Sequence, residues 1–347
     1  MKQQSGIQRV ELLVGTVIVA ATGVVIFSML MHDATGRKGS GLSGDFAYDV
    51  EKLTKIDPAM ILYEESGTQI ETALQSTRAI AIDARDYLYV AGDKAIRVFD
   101  TSGAVRRTID VPGAVECLAV SAATGLIYAG IGDHVEVYDG GGKLVAIWPS
   151  PGASAVVTSI AVSKGGDVFV ADAGGRIVIR YDAEGREINR IGKKDLDRNV
   201  PGFVVPSPHF DVVVPRDGMP RVVNPGRLRI ETYTVEGDYE FAWGEPSVDI
   251  EGFCGCCNPV NIALLPNDDV ITCEKGLNRI KVYDHTGKFK GVVAGPEQLT
   301  PGSPAKICVR PEQCQSGGFD VAADSAGRIY VLDTAANVIR KFTLKEL

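Results

Sequence analysis

The sequence lacks the features that mark nucleic-acid-binding proteins and many common enzymes. Its formal net charge is −8, and no basic block follows the N-terminal region. Because phosphate binding needs a positive surface, we expect no nucleic-acid partner. There is no Walker loop, no dinucleotide glycine fingerprint, no haem C-x-x-C-H motif and no G-x-S-x-G elbow. The four histidines form no recognisable triad with serine, so no reaction can be assigned from motifs.

A long apolar segment near the N-terminus predicts a membrane anchor. Residues 12–31 form an uncharged run of 20 residues, which as a helix spans roughly 30 Å, the thickness of the hydrocarbon core. The run ends in Met-Leu-Met-His and offers no small-x-small cleavage site. We therefore expect an uncleaved signal anchor over residues 1–32 and a tether over residues 33–58. A cleaved signal peptide and a buried soluble helix are the alternatives.

The charges beside the predicted anchor do not set its orientation. Lys2 and Arg9 precede the span, and Arg37 and Lys38 follow it, so the two sides are nearly balanced. The cysteine content described below favours an oxidising compartment. We therefore expect a membrane-anchored protein whose folded domain is extracytoplasmic, in the periplasm.

The remainder of the chain, from about residue 78, consists of six similar units. Each unit has a short apolar strand, a Gly or Asp turn, a Val/Ile/Tyr-rich strand, and a third strand that ends in an aromatic residue. These aromatic residues are Phe99, Tyr138, Tyr181, Tyr233, Tyr283 and Phe342. Turn glycines follow in five units, at Gly103, Gly141, Gly185, Gly237 and Gly287. Four-stranded units of roughly 40–60 residues predict an all-β, six-bladed propeller over residues 59–347.

Individual units resemble NHL repeats. The clearest similarity lies in blade five, in the segments NPVNIA (258–263), DVIT (269–272) and NRIKVYD (278–284). Blade six is nearly as similar, with FDVAAD (319–324), GRIYVLD (327–333) and NVIRKF (337–342). Blade four departs from the pattern at PRVVNPG (220–226). The resemblance implies an NHL-type propeller, a family that includes both binding platforms and enzymes, so it does not by itself select a function.

The two ends of the propeller are expected to meet in one sheet. The sixth unit ends after its third strand, and residues 60–65 (MILYEE), upstream of blade one, could supply the missing outer strand. Such pairing would remove an exposed sheet edge and close the ring.

The repeat phase places all seven cysteines on one face, which we call the crossover face because it carries the connections from each blade to the next. Cys254, Cys256 and Cys257 precede blade five, and Cys273 ends its second strand. The others are Cys308 and Cys314 before blade six, and Cys117 at the start of blade two.

Three interpretations of these cysteines remain open. Disulfides could staple the two long connections, which suits an exported protein. A thiolate metal or iron–sulfur site could use the six clustered cysteines. Its ligands would be Cys254, Cys256, Cys257, Cys273, Cys308 and Cys314. The C-x-C-C spacing argues against it, because it is not a standard C-x-x-C pair. A redox-active dithiol would need a neighbouring positive charge, for which Lys275 and Lys306 are candidates.

Polar residues at the starts of the inner strands form a second candidate site. The six positions that ring the channel mouth are Ala79, Cys117, Ser159, Asp211, Asn261 and Asp320. Asp211, Asn261 and Asp320, with His209 nearby, could hold Ca²⁺ or another divalent cation. Alternatively, these side chains cap strand ends and meet channel water. His134 is a further, weaker candidate, and Trp148 and Trp243 are expected to pack between blades.

The sequence supports two functional hypotheses of different classes. The first is a membrane-tethered binding or scaffold module that presents a cysteine-rich redox or metal site to a protein partner, within an electron-transfer assembly. The alternative is implied by the family resemblance: a metal-dependent lactonase- or lyase-like enzyme with Asp211, Asn261 and Asp320 as metal ligands and His209 as a base. A purely structural scaffold is the third option.

Overall fold

A computed structural model describes residues 50–302 and 318–346. The predicted anchor, most of the predicted tether, and Cys308 and Cys314 lie outside these residues. Within the described part of the chain, no helix is long and apolar enough to cross a membrane. The α-helices there are short, namely α1 (Val50–Thr54) and α2 (Pro296–Leu299). Two 3₁₀ turns occupy Pro58–Met60 and Pro225–Arg227.

The described residues form six antiparallel sheets, as the repeats predict. Blade one contains β3 (Thr77–Ile82), β4 (Leu88–Gly92), β5 (Ala95–Phe99) and β6 (Val105–Asp110). Blade two contains β7 (Cys117–Val120), β8 (Ile127–Ile131), β9 (His134–Tyr138) and β10 (Leu144–Trp148). Blade three contains β11 (Val157–Val162), β12 (Val168–Asp172), β13 (Ile177–Tyr181) and β14 (Glu187–Ile191).

The other three blades repeat this arrangement. Blade four contains β15 (Val212–Val213), β16 (Arg221–Asn224), β17 (Arg229–Tyr233) and β18 (Tyr239–Trp243). Blade five contains β19 (Asn261–Leu264), β20 (Val270–Cys273), β21 (Ile280–Tyr283) and β22 (Phe289–Ala294). Blade six contains β23 (Phe319–Ala323), β24 (Ile329–Asp333) and β25 (Val338–Leu344), and it receives β1 (Tyr63–Glu65) and β2 (Ile70–Glu71) from the N-terminal side.

The burial of each strand follows from its place in the blade. Second strands such as β8 and β12 are buried at every position, because blades pack against both of their faces. Outer strands such as β6 are exposed at most positions. The apolar core therefore lies between adjacent blades, and Trp148 illustrates this: its ring centroid is 5.5 Å from that of Tyr128 in its own blade and 5.2 Å from that of Tyr181 in blade three. The predicted inter-blade packing of Trp148 is thus confirmed.

The turns between third and outer strands contain all five predicted glycines, and in blade two a neighbouring glycine takes the left-handed position. Gly103 adopts a φ of 85° and donates its N–H to the carbonyl of Asp100 at 2.9 Å. In blade two the equivalent residue is Gly142, with a φ of 88° and the same bond to Asp139, and not Gly141. Gly141 lies in this turn as predicted, but the turn contains three consecutive glycines, and only the third falls where the left-handed conformation is required.

The predicted closure of the ring is confirmed. β1 pairs antiparallel with β25, with Tyr63 opposite Leu344 and Glu65 opposite Phe342. The buried Arg340 side chain fixes this register, since its Nη2 lies 2.5 Å from Glu65 Oε2 and its Nε 2.9 Å from Glu65 Oε1. Arg340 also donates to the carbonyls of Gln298 and Leu299. The outer strand of the last blade, β1, is therefore held by backbone hydrogen bonds to β25 and by a partly buried charge pair.

Replacing Arg340 should open this closure. Arg340→Met should lower the free energy of unfolding by about 3 kcal/mol, because it leaves Glu65 and two carbonyls without their donor. The matched control is Arg186→Met. Arg186 forms an ion pair with Asp182 on the surface, and the loss of this pair should cost about 1 kcal/mol or less. Urea unfolding of both variants measures the difference; equal losses would show that Arg340 does not hold the closure.

Candidate functional site

The segment from Gly252 to Pro259, which we call the thiol loop, is fixed to the turn that follows β20. Asn258 is almost fully buried and makes this connection. Its Oδ1 accepts the backbone N–H of Lys275 at 2.9 Å, and its Nδ2 donates to the carbonyls of Lys275, at 3.0 Å, and of Cys254. A side-chain amide that satisfies two backbone segments holds them in register. The thiol loop and Lys275 therefore form one rigid unit.

Two cysteines of the thiol loop are in direct contact. The Sγ atoms of Cys256 and Cys257 lie 3.5 Å apart. Cys256 is partly exposed, whereas Cys257 is fully buried. Burial and the neighbouring Cys257 thiol raise the pKa of Cys256 to about 11. At neutral pH this thiol is therefore protonated unless a bound species displaces its proton.

Lys275 places a buried amine beside this thiol pair. Only 3% of the residue is exposed, and its Nζ has no hydrogen-bond partner among the described residues. Burial lowers the pKa of Lys275, while the Cys256 and Cys257 thiols act in the opposite direction. His209 lies close enough to Lys275 for the two groups to interact electrostatically. Burial, and then the charge of Lys275, lower the pKa of the His209 imidazole to about 4. His209 is therefore neutral at physiological pH, and its buried Nε2 likewise has no partner among the described residues.

A buried ionic network is hydrogen-bonded to the backbone of the thiol loop. Glu274 is fully buried, and its carboxylate lies 2.8 Å from both Arg279 Nη2 and Lys281 Nζ. Burial alone would raise the pKa of Glu274, but the charges of Lys281 and Arg279 lower it. The same carboxylate accepts the backbone N–H of Cys254 at 2.9 Å.

The cations of this network bind the chain that enters the thiol loop. Lys281 Nζ donates to the carbonyl of Gly252 at 2.6 Å and of Ile250 at 3.0 Å. It also lies 4.6 Å from the centre of the Phe253 ring, in a cation–π contact. Arg279 reaches the carbonyl of Val248 at 3.2 Å. The buried charges of Glu274, Arg279 and Lys281 therefore fix the connection between blades four and five.

The remaining described cysteines are Cys254, which also belongs to the thiol loop, and Cys117 and Cys273. Burial raises the pKa of the Cys254 thiol, and the neighbouring charge of Arg279 partly offsets this effect. Cys273 and Cys117 are buried, and burial followed by the carboxylates Asp211 and Asp320 raises the pKa of both thiols. All five described cysteines are free.

The five described cysteines test the three interpretations of the cysteine-rich face in part. No disulfide joins the five described cysteines, and in residues 50–302 and 318–346 no group of three or more His, Cys, Asp or Glu side chains is arranged to hold a metal. Because Cys308 and Cys314 lie outside the described residues, the six-cysteine site and the disulfides that involve them stay predictions.

The polar residues at the channel mouth link neighbouring blades. Asp211 Oδ2 accepts the backbone N–H of Ile262 at 2.6 Å, from blade four to blade five, and its Oδ1 accepts the Ser159 hydroxyl. Asn261 Nδ2 donates to the carbonyl of Phe319 at 2.8 Å. Asp320 Oδ2 accepts the N–H of Ile80 at 2.8 Å. Each side chain thus satisfies a backbone group at the inner edge of the next blade, where no further strand can pair.

This geometry favours strand capping over cation binding at the channel mouth. The four carboxylate oxygens of Asp211 and Asp320 all accept hydrogen bonds from the protein. The two groups border a polar cavity of about 280 Å³ that also includes Asn261. Burial raises the pKa of Asp211 to about 6 and, together with the charge of Asp211, that of Asp320 to about 7. The predicted divalent cation site at Asp211, Asn261, Asp320 and His209 remains untested.

Two other sequence-based candidates have local partners. His134 Nδ1 lies 3.1 Å from Asp133 and its Nε2 3.6 Å from Glu136, on the partly exposed start of β9. Trp243 packs between Phe253 and Tyr283, as predicted for an outer strand. The residues that sequence reasoning missed are Glu274, Arg279 and Lys281. Their signal was present, since Lys281 is a charged residue in the interior of a strand whose other members are Ile280, Val282 and Tyr283.

Comparisons with known proteins show the fold and nothing finer. No protein-family model matches the chain, and no curated protein matches it. The structure is similar to that of a streptogramin B lyase, with a TM-score of 0.56, 13% identity, and coverage of 82% of this chain and 98% of the other. The virginiamycin B lyase of Staphylococcus aureus has the same TM-score and identity, with coverage of 82% and 100%.

A third structure supports the same conclusion. The WD40 propeller domain of Doa1 matches with a TM-score of 0.52 at 18% identity, over 78% of this chain and 79% of the other. Similarities at this level of identity support the β-propeller fold, whose six blades are the six sheets described above. The finer resemblance to NHL repeats stays a prediction.

The buried network gives a first prediction for this site. Glu274→Gln should lower the free energy of unfolding by about 3–5 kcal/mol, because Arg279 and Lys281 keep their charges without a counter-charge. The control is Asp268→Asn, which removes the surface partner of Arg216 and should cost about 1 kcal/mol or less. Urea denaturation compares the variants. A Glu274→Gln loss no larger than that of the control would contradict a supporting role for the network.

The channel carboxyls give a second prediction, on pH. The pKa of Asp320 is about 7 in the folded protein but about 4 in an unfolded chain. The folded state therefore binds more protons between these values, and the stability that Asp320 contributes falls as the pH rises from about 4 to 7. Melting temperatures at pH 5 and pH 8 should differ less in Asp320→Asn than in the wild type. The exposed Asp110→Asn variant should keep the wild-type difference; an unchanged difference in Asp320→Asn would refute the assignment.

Proposed function

We propose that this chain is a non-enzymatic binding module, a membrane-tethered six-bladed propeller that uses the thiol loop to engage a soft metal ion or a thiol-reactive group of a partner. One observation carries the proposal. Cys256 and Cys257 are in contact at 3.5 Å beside Lys275, a buried amine whose Nζ has no partner among the described residues. This combination is costly in a purely structural loop, because a buried amine without a hydrogen-bond partner loses its hydration without compensation.

The construction of the loop supports a binding role. Asn258 fixes the thiol loop to Lys275, and the Glu274 network fixes the chain that enters it. A site that is held by buried hydrogen bonds before its ligand arrives loses little entropy on binding. Cys256 is partly exposed and gives a ligand access to the pair. The unpaired amine is satisfied when the bound species brings negative charge to the thiols.

The N-terminal sequence supports attachment to a membrane. Residues 12–31 are long and apolar enough to span the bilayer, and residues 33–58 would tether the propeller to them. A tethered domain meets a membrane-bound partner at a raised effective concentration. We therefore place the propeller in the periplasm, with a protein partner that docks on the crossover face, within a redox or electron-transfer assembly.

The enzyme hypothesis has less support. The likeness to streptogramin B lyases is one of fold at 13% identity, and a fold does not transfer an activity. A lyase- or lactonase-like site would need a divalent ion such as Ca²⁺ at Asp211, Asn261 and Asp320. Since both carboxylates are already engaged with backbone N–H groups, strand capping accounts for these residues without a catalytic role.

The proposal predicts a property that depends on two particular thiols. The full chain, purified without oxygen, should either carry a soft metal or react with oxidised glutathione. In that reaction Cys256 and Cys257 form a disulfide and two glutathione thiols are released. Cys256→Ser and Cys257→Ser should each abolish that property, because each removes half of the pair. Elemental analysis and thiol counting with and without reductant measure the two outcomes.

The control is Cys117→Ser, a buried thiol outside the thiol loop that should leave the property intact. If the chain holds no metal, takes none up and shows no thiol exchange that depends on Cys256, the protein is a structural scaffold and the proposal fails.

A further inference from the structure

We propose that a cleft between blades five and six binds an uncharged, largely apolar small molecule that carries one hydroxyl group. The cleft has a volume of about 320 Å³, at the lower end of the range of small-molecule sites. The turns between first and second strands line it, so it opens on the face opposite the crossover face. The inference is therefore independent of the thiol loop.

The walls of the cleft are mainly apolar and come from three parts of the chain. The segment that enters β1, blade five and blade six each contribute to them. The apolar lining residues with large side chains are Leu62, Leu265, Pro266, Val282 and Leu344. Leu344 is 62% exposed and lies where the cleft meets solvent. These walls would remove the apolar body of a ligand from water.

Leu62 forms a wall that is held in place without a ligand. Its N–H donates to the carbonyl of Val292 in blade five, and its carbonyl accepts the N–H of Lys345 after blade six, both at 2.9 Å. A side chain at Gly291 would overlap the Leu62 side chain, so the two segments are in close contact. The backbone of Leu62 therefore joins the two blades on either side of the cleft.

The two turns that border the cleft are fixed by the blades next to them. Arg216 of blade four donates from Nη2 to the carbonyl of Pro266 at 2.7 Å. Ser325 donates its backbone N–H to Asp86 of blade one at 2.8 Å and its hydroxyl to the same carboxylate at 2.7 Å. A cleft whose walls are fixed in advance loses little conformational entropy when it binds a ligand.

One end of the cleft carries an ion pair with no net charge. Asp269 Oδ2 accepts hydrogen bonds from Lys290 Nζ at 2.6 Å and from Asn267 Nδ2 at 2.8 Å. The Asp269 side chain is almost buried, whereas Lys290 is exposed. Tyr63 also lines the cleft. Burial, and then the charge of Asp269, raise the pKa of Tyr63, so its hydroxyl stays protonated and able to donate.

The balance of charge at this end selects an uncharged head group. A hydroxyl group can accept a hydrogen bond from Lys290 and donate one to Asp269. A carboxylate would gain the attraction of Lys290 but meet the like charge of Asp269, and an amine would experience the reverse. The apolar walls and the ion pair together therefore fit an alcohol better than a fatty acid or an alkylamine.

The test is photolabelling of the full chain in lipid nanodiscs, where no detergent competes for the cleft. The probes are three diazirine-bearing eight-carbon chains that end in a hydroxyl group, a carboxylate or an ammonium group. Mass spectrometry locates the label. The alcohol should label the peptides that contain Leu62 and Leu265 at concentrations about tenfold lower than the two charged probes require, because only the charged probes meet a like charge.

Three variants separate the parts of the site. Asp269→Asn leaves a net positive charge and should make the carboxylate the preferred probe, whereas Lys290→Met should make the ammonium probe preferred. Leu344→Glu places a charge at the opening and should weaken labelling by the alcohol about tenfold. The control variants Glu64→Gln and Lys288→Met change exposed residues outside the cleft and should keep the wild-type order of the probes.

Three results would overturn the inference. If the alcohol does not label the cleft, no such molecule binds there. If the wild type prefers the carboxylate, the ligand is an anion. If the order of the probes is unchanged in both Asp269→Asn and Lys290→Met, the ion pair does not select the head group. Because Lys290 and Leu344 are exposed, their variants test the site even if Asp269→Asn does not fold.

Discussion

The thiol loop depends on a single buried carboxylate. Glu274 lies at the end of the second strand of blade five, and it compensates two cations, Arg279 and Lys281, that would otherwise be strongly destabilising in the core. The cations then use their remaining donors on the carbonyls that precede the loop. An ionic network thereby converts a long connection between blades, which has no regular hydrogen-bond ladder of its own, into a fixed element. The ionic network thereby fixes the positions of the thiols in the loop.

The same physical requirement, that buried polar groups find partners, organises the channel mouth. The inner edge of each blade exposes backbone N–H groups that no further strand can pair. Asp211 and Asp320 accept such groups from the next blade, and Asp320 does so across the junction between the last blade and the first. These bonds complement the outer closure made by Arg340 and Glu65. The ring is thus joined at its inner and outer edges, and the crossover face is a rigid support for its loops.

The contrast between Lys281 and Lys275 shows how placement decides the role of a buried lysine. Both are almost fully buried, but Lys281 has a carboxylate, two carbonyls and an aromatic ring around it. The Lys275 Nζ has no hydrogen-bond partner among the described residues, although the Cys256 and Cys257 thiols and His209 interact with it electrostatically. The first lysine completes the fold. The second leaves a buried amine whose role in the fold no hydrogen bond of the described residues explains.

The amino-acid sequence by itself determined the architecture, because strand patterning, aromatic strand ends and turn residues recur in each unit and depend only on local spacing. The phase of those repeats also placed Cys273 at the end of the second strand of blade five and the ring residues at the channel mouth. Only the tertiary structure decided which thiols touch, that the Lys275 Nζ has no hydrogen-bond partner in the described part of the chain, and that Glu274 joins two cations. Those facts depend on distances between side chains from different loops and strands, and repeat phase sets the face on which a residue lies but not its neighbours there.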